Sequence, residues 1–76
     1  MILELETLLG SGKPWAVKRA SILKESIEAY KSGDMSQDEY KEIIGDLVAT
    51  DKLNAEADDI NLKSMIITAV KTAMLL

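Results

Sequence analysis

The sequence predicts an all-α fold: a small helical bundle of three main helices plus a short N-terminal helix, with the C-terminal helix central. Three observations predict it. Apolar residues recur at alternating spacings of four and three along two long stretches, which is the helical period. Glycine, proline and a serine-led capping sequence fall between these stretches rather than inside them. The apolar share of 47% is almost wholly Leu, Ile, Val, Met and Ala, with only Trp15, Tyr30 and Tyr40 aromatic, a composition suited to helices.

The chain of 76 residues has room for a single domain, residues 1–76, which buries roughly 60% of the surface its unfolded form exposes. Cysteine and histidine are both absent, so neither a disulfide nor a Cys/His zinc site supports the fold. Stability must come from aliphatic packing or from another subunit.

Leu5, Leu8 and Leu9 followed by Gly10 predict a short helix over residues 2–9, ended by a left-handed glycine. Gly10-Ser11-Gly12 reads as a turn, and Pro14 falls at the first position of the next helix, where its missing N–H costs nothing. The second helix should run from Pro14 to about Ser32 and stop at Gly33. Ala16, Ala20, Leu23, Ile27 and Tyr30 form its apolar stripe, widened by Trp15, Ile22 and Ala29.

Ser36-Gln37-Asp38-Glu39 is a capping box: the serine hydroxyl takes the Glu39 N–H while the glutamate reaches back to the serine N–H. Met35 and Tyr40 are spaced for a hydrophobic staple, so a helix should start at Gln37, with Tyr40, Ile43, Ile44, Leu47 and Val48 as its apolar face. Only Asp34 and Met35 separate Gly33 from Ser36, which makes the second and third helices an antiparallel hairpin. Thr50 to Asp59 admits two readings, a loop holding a short turn over Leu53, or a continued third helix with Ala55 and Ala57 inward. The preferred boundaries are a helix end near Thr50 and a new start near Asp58 or Asp59, since paired aspartates suit a helix N-terminus.

The final stretch, Asp59 to Leu76, organises the rest. Its apolar residues cover most of the helix circumference, leaving a polar strip of Asn61, Ser64, Thr68, Lys71 and Thr72. A helix of this kind is buried on several sides. The spacing 62, 66, 69, 73, 76 is the seam along which helices pack, within one chain or between two.

Composition also narrows function. Without histidine or cysteine, a base and nucleophile would have to come from Asp, Glu, Lys, Ser or Tyr, and every serine has a cap, turn or polar-face role, so no catalytic residue is assigned and no enzyme is expected. Leu9-Gly10-Ser11-Gly12-Lys13 suggests a phosphate loop, but the full pattern needs glycine at position 7 and Ser or Thr at 14, where Thr7 and Pro14 stand. An EF-hand begun at Asp51 would place Leu53 and Ala55 at ligand positions and Glu56 where glycine is required. No cofactor and no metal site is expected. Polar residues interrupt the last 18 positions, short of the about 20 apolar residues of a membrane span. The N-terminus MILELETLL lacks a basic leading region and is not a secretory signal, so a cytoplasmic location is expected.

The function the sequence favours is a non-enzymatic protein–protein interaction module whose partner is itself, as a dimer or higher assembly, or another protein. Leu62, Met65, Ile66, Ala69, Val70 and Ala73 are the candidate interface, with small residues at 69 and 73 allowing close helix approach and Met65 lending adaptability. The closing Met74-Leu75-Leu76 adds apolar surface in need of cover. An alternative is weak nucleic-acid contact through Lys13, Trp15, Lys18, Arg19 and Lys24, where basic groups flank an aromatic. Nucleic acid is the less favoured partner, because the net charge is −4 and the third helix carries Asp38, Glu39, Glu42 and Asp46 against Lys41. The mirror image is an acidic nucleic-acid mimic, since residues 32–59 hold nine acidic and two basic groups.

The block YKSGDMSQDEYKEIIGDLV resembles the helical hairpins of the bacterial SHOCT oligomerisation motif, over Ser21 to Val48. Together with ADDINLKSMIITAV it is also similar to small helical proteins of tailed bacteriophages. The resemblance implies a setting in which such proteins assemble in the particle or bind and block a host protein, with the host cytoplasm as the compartment.

Overall fold

Five helices follow one another in the computed structural model, which describes residues 3–76: α1 (Leu3–Leu9), α2 (Pro14–Lys31), α3 (Gln37–Asp46), α4 (Thr50–Glu56) and α5 (Ile60–Ala73). Position 2 of the expected first helix lies outside the described residues. The radius of gyration, 11.6 Å, is close to the about 11.4 Å of a fully packed domain of this length. Among the described residues there is no strand, so the fold is all-α.

Leu5 and Leu8, one turn apart, are fully buried where α1 lies against α2 and α5. The end of α1 differs from expectation. Gly10 is not left-handed; its N–H still donates to Glu6 O at 3.1 Å, and Ser11 Oγ closes the turn by donating to Leu8 O at 2.7 Å. The chain therefore reverses later, at Gly12, whose φ of 74° only glycine adopts cheaply.

Pro14 opens α2 as expected, and the helix buries Trp15, Ala16, Ala20, Leu23 and Ile27 on one face, together with Arg19 and Ser26. Its end is a Schellman arrangement. The Asp34 N–H donates to Ala29 O at 2.9 Å and the Gly33 N–H to Tyr30 O at 3.2 Å, with Gly33 at φ 85°. Ser36 then caps α3 by accepting the Glu39 N–H at 3.2 Å. The reciprocal half of the box differs: the Ser36 hydroxyl donates to the Glu39 carboxylate at 3.1 Å, so that carboxylate is held by the cap side chain.

Tyr40 and Ile44 bury the inner face of α3, and Tyr40 stacks on Tyr30 of α2 with ring centroids 4.4 Å apart and planes 11° apart. This contact locks the hairpin. The Tyr40 hydroxyl then crosses to α5, donating to Ala73 O at 2.9 Å.

Thr50 to Asp59 adopts neither of the two readings outright. α3 stops at Asp46, a tight turn runs through Leu47, Val48 and Ala49, and a separate seven-residue helix, α4, carries Leu53 into the core. The expected restart is correct: Asp59 caps α5, accepting the N–H groups of Asn61 and Leu62 at 3.0 and 3.1 Å.

α5 meets α1, α2 and α3, but α2 equally meets α1, α3 and α5, so the two helices share the centre. The polar strip Asn61, Ser64, Thr68, Lys71 and Thr72 is exposed, as expected. Ile66, Ala69, Val70 and Ala73 face inward, Leu62, Met65, Ile67 and Met74 are half-buried, and Ile60, Leu75 and Leu76 are exposed. The expected burial on several sides is thus met by α1, α2 and α3, while the apolar Ile60, Leu75 and Leu76 stay uncovered.

Candidate functional site

The candidate interface divides sharply in the structure. Ile66, Ala69, Val70 and Ala73 are buried within the chain's own core, where Ala69 and Ala73 admit close neighbours from the same chain. Leu62 and Met65 are half-buried at its margin. The seam read from the spacing is thus consumed by intramolecular packing, because helical period marks which residues pack and carries no record of which chain they pack against.

Among the described residues, the large apolar groups left in water are Leu3 on α1, Ile60 at the start of α5, Ile43 on α3, and Leu75 and Leu76 at the end of α5. Leu75 is 86%, Leu76 47% and Ile43 37% exposed. A shallow open hollow on α3 is lined by Glu42, Ile43, Gly45, Asp46 and Ala49. Met74 reaches over its edge, its Cε 3.4 Å from where a Cβ on Gly45 would stand. The apolar run of the sequence signals Met74, Leu75 and Leu76, whereas the helical period places Ile43 on the apolar face of α3.

The alternative cluster around Trp15 also resolves differently. Trp15 and Arg19 are buried, so the indole face is not offered for stacking on bases. The indole N–H donates to Asp58 Oδ1 at 3.0 Å, and Lys13 Nζ meets Asp58 Oδ2 at 3.3 Å. Arg19 donates through Nε to Leu47 O at 3.0 Å, through Nη1 to Trp15 O at 3.4 Å and through Nη2 to Glu56 Oε2 at 2.6 Å. Lys18 is exposed and Lys24 half-buried, and these two do not join the network. In the closed fold Lys13, Trp15 and Arg19 are thus engaged with the chain's own groups. Their charges and donors are answered by carboxylates of the same chain, an arrangement that sequence spacing does not reveal across 37 to 45 residues.

The electrostatics follow from these contacts. The hydrogen bond from Arg19, then its charge, holds the Glu56 carboxyl below its ordinary range. Hydrogen bonds from Trp15 and then Lys13 do the same for Asp58. Burial, with Tyr30 second, pushes the Tyr40 hydroxyl up. The remaining acids are dispersed: Asp34, Asp38, Glu39, Glu42 and Asp51 lie exposed, and Asp46 meets Lys52 at 3.4 Å.

Among the described residues no group of three or more acidic, histidine or cysteine side chains is placed to hold a metal ion. No described helix is long and apolar enough to cross a membrane. No protein-family model, curated protein or solved structure matches this chain.

Proposed function

We propose that this chain is a non-enzymatic protein–protein interaction module that self-associates through the apolar end of α5 and the flank of α3 beside it. The observation that carries the reading is the exposure of Leu75 and Leu76 at the end of α5 and of Ile43 on α3, the helix whose Gly45 Met74 approaches. Large exposed aliphatic groups gain roughly 25 cal/mol for each Å² removed from water, which favours a covering partner. Methionine and leucine adapt to a facing copy, and Glu42 and Asp46 at the margin would set its register. Such a module suits the particle-assembly or host-protein-binding role implied by the phage resemblance, acting in the cytoplasm.

Sedimentation equilibrium tests it over micromolar concentrations. The expected result is a concentration-dependent dimer or larger species that Leu75→Asp with Ile43→Asp converts to monomer without loss of helix content. A monomer at all concentrations would remove self-association.

A further inference from the structure

We propose that α4 and its flanking turns form a strap that opens as a unit, uncovering Trp15 and Arg19 while the bundle of α1, α2, α3 and α5 remains folded. This goes beyond the association reading and rests on different residues.

The strap is weakly made in itself. Seven residues are too few for a helix to persist in water alone, and Ala49 at its N-cap provides no side-chain hydrogen bond. Leu53 is the one buried side chain among the described residues of α4. No helix packs on α4 as extensively as α1 and α2 each pack on α5 or α2 on α3.

The strap swings beyond Leu47, which stays buried with its carbonyl accepting from Arg19 Nε. The leading turn is held by short-range bonds, Leu47 N–H to Ile44 O, Val48 N–H to Gly45 O and Ala49 N–H to Asp46 O. The trailing residues, Ala57 and Asp59, are extended and precede an independently capped α5. Opening therefore leaves the start of α5 intact.

Two side-chain fastenings from α2 close it, Arg19 to Glu56 and the Lys13 and Trp15 pair to Asp58. The Glu56 and Asp58 side chains are 51% and 62% exposed, so water competes for both carboxylates. The closed strap thus fills a basic, aromatic surface with the chain's own acids. Its opening presents Lys13, Trp15 and Arg19 beside Lys18, a surface whose chemistry accepts carboxylates because it holds two of them when closed.

Native-state hydrogen exchange of the full chain, with acrylamide quenching of Trp15, tests the strap. The amides of Leu53 and Ala57, bonded to Ala49 O and Leu53 O, should exchange on the order of tenfold or more faster than the core amides of Leu23 and Ala69, and should be insensitive to low urea. Glu56→Gln with Asp58→Asn should accelerate those two amides by roughly two- to tenfold and increase quenching of Trp15, leaving Leu23 and Ala69 unchanged. Leu53→Ala, a second route to the open form, should accelerate the same pair. Exchange of Leu53 and Ala57 in step with Leu23 and Ala69 overturns the proposal, as does a strap rate that the paired substitutions leave unaltered.

Discussion

Removing one oxygen from Tyr40 measures how α3 is fastened to α5. In Tyr40→Phe the ring keeps its fully buried place and its stack on Tyr30, so no cavity forms. What disappears is the 2.9 Å bond to Ala73 O. That carbonyl still accepts the Leu76 N–H at 3.2 Å, so it is not orphaned, and the full penalty for a stranded buried acceptor does not apply. The expected loss is therefore that of one net hydrogen bond, about 1 kcal/mol, and far below the 3 to 5 kcal/mol of an aromatic truncation. For a domain of this size it lowers Tm by about 4–8 °C. Urea and thermal unfolding followed by circular dichroism read it, with the m-value unchanged.

The same substitution has an alkaline signature. Burial raises the Tyr40 hydroxyl in the fold, so its contribution is complete below the ordinary tyrosine value of about 10 and fades as pH rises towards the folded value. The gap between wild type and Tyr40→Phe should narrow above about pH 10. A gap under about 0.3 kcal/mol at neutral pH, or one above about 3 kcal/mol, would refute the assigned bond.

Three further outcomes are expected. Gly45→Ala should stabilise by up to about 0.5 kcal/mol in urea unfolding, since alanine favours the last turn of α3 over glycine and its Cβ meets only the flexible Met74 tip at 3.4 Å. Ser36→Ala should cost about 1 kcal/mol by loss of the bond from the Glu39 N–H, read by thermal melting against a Ser36→Gly control that loses less. Glu56 and Asp58 are both depressed, so the fastenings they make persist through neutral pH and are lost only as pH falls below the ordinary carboxylate range of about 4; Trp15 emission should change there while far-ultraviolet ellipticity holds.

Local chemistry by itself determined most of the secondary structure. Pro14, the Gly33 reversal, the Ser36 cap and the Asp59 cap each act within four residues, and all four stand where their spacing puts them. The left-handed position at the first turn passed from Gly10 to Gly12 because Ser11 supplied an acceptor and a donor that extended the turn. α4 was obscured for a related reason: its one anchoring side chain, Leu53, gives no period to read.

Tertiary structure alone decided the partners. Periodicity marked Ile66, Ala69, Val70 and Ala73 as packing residues, but only the folded chain assigned them to its own interior and left Leu75, Leu76 and Ile43 in water. The basic residues near Trp15 looked free because charge is counted along the chain, whereas Glu56 and Asp58 return to them across the fold. Caps and turns are written in neighbouring residues. Which face is covered, and which charge is answered, depends on where distant segments come to rest.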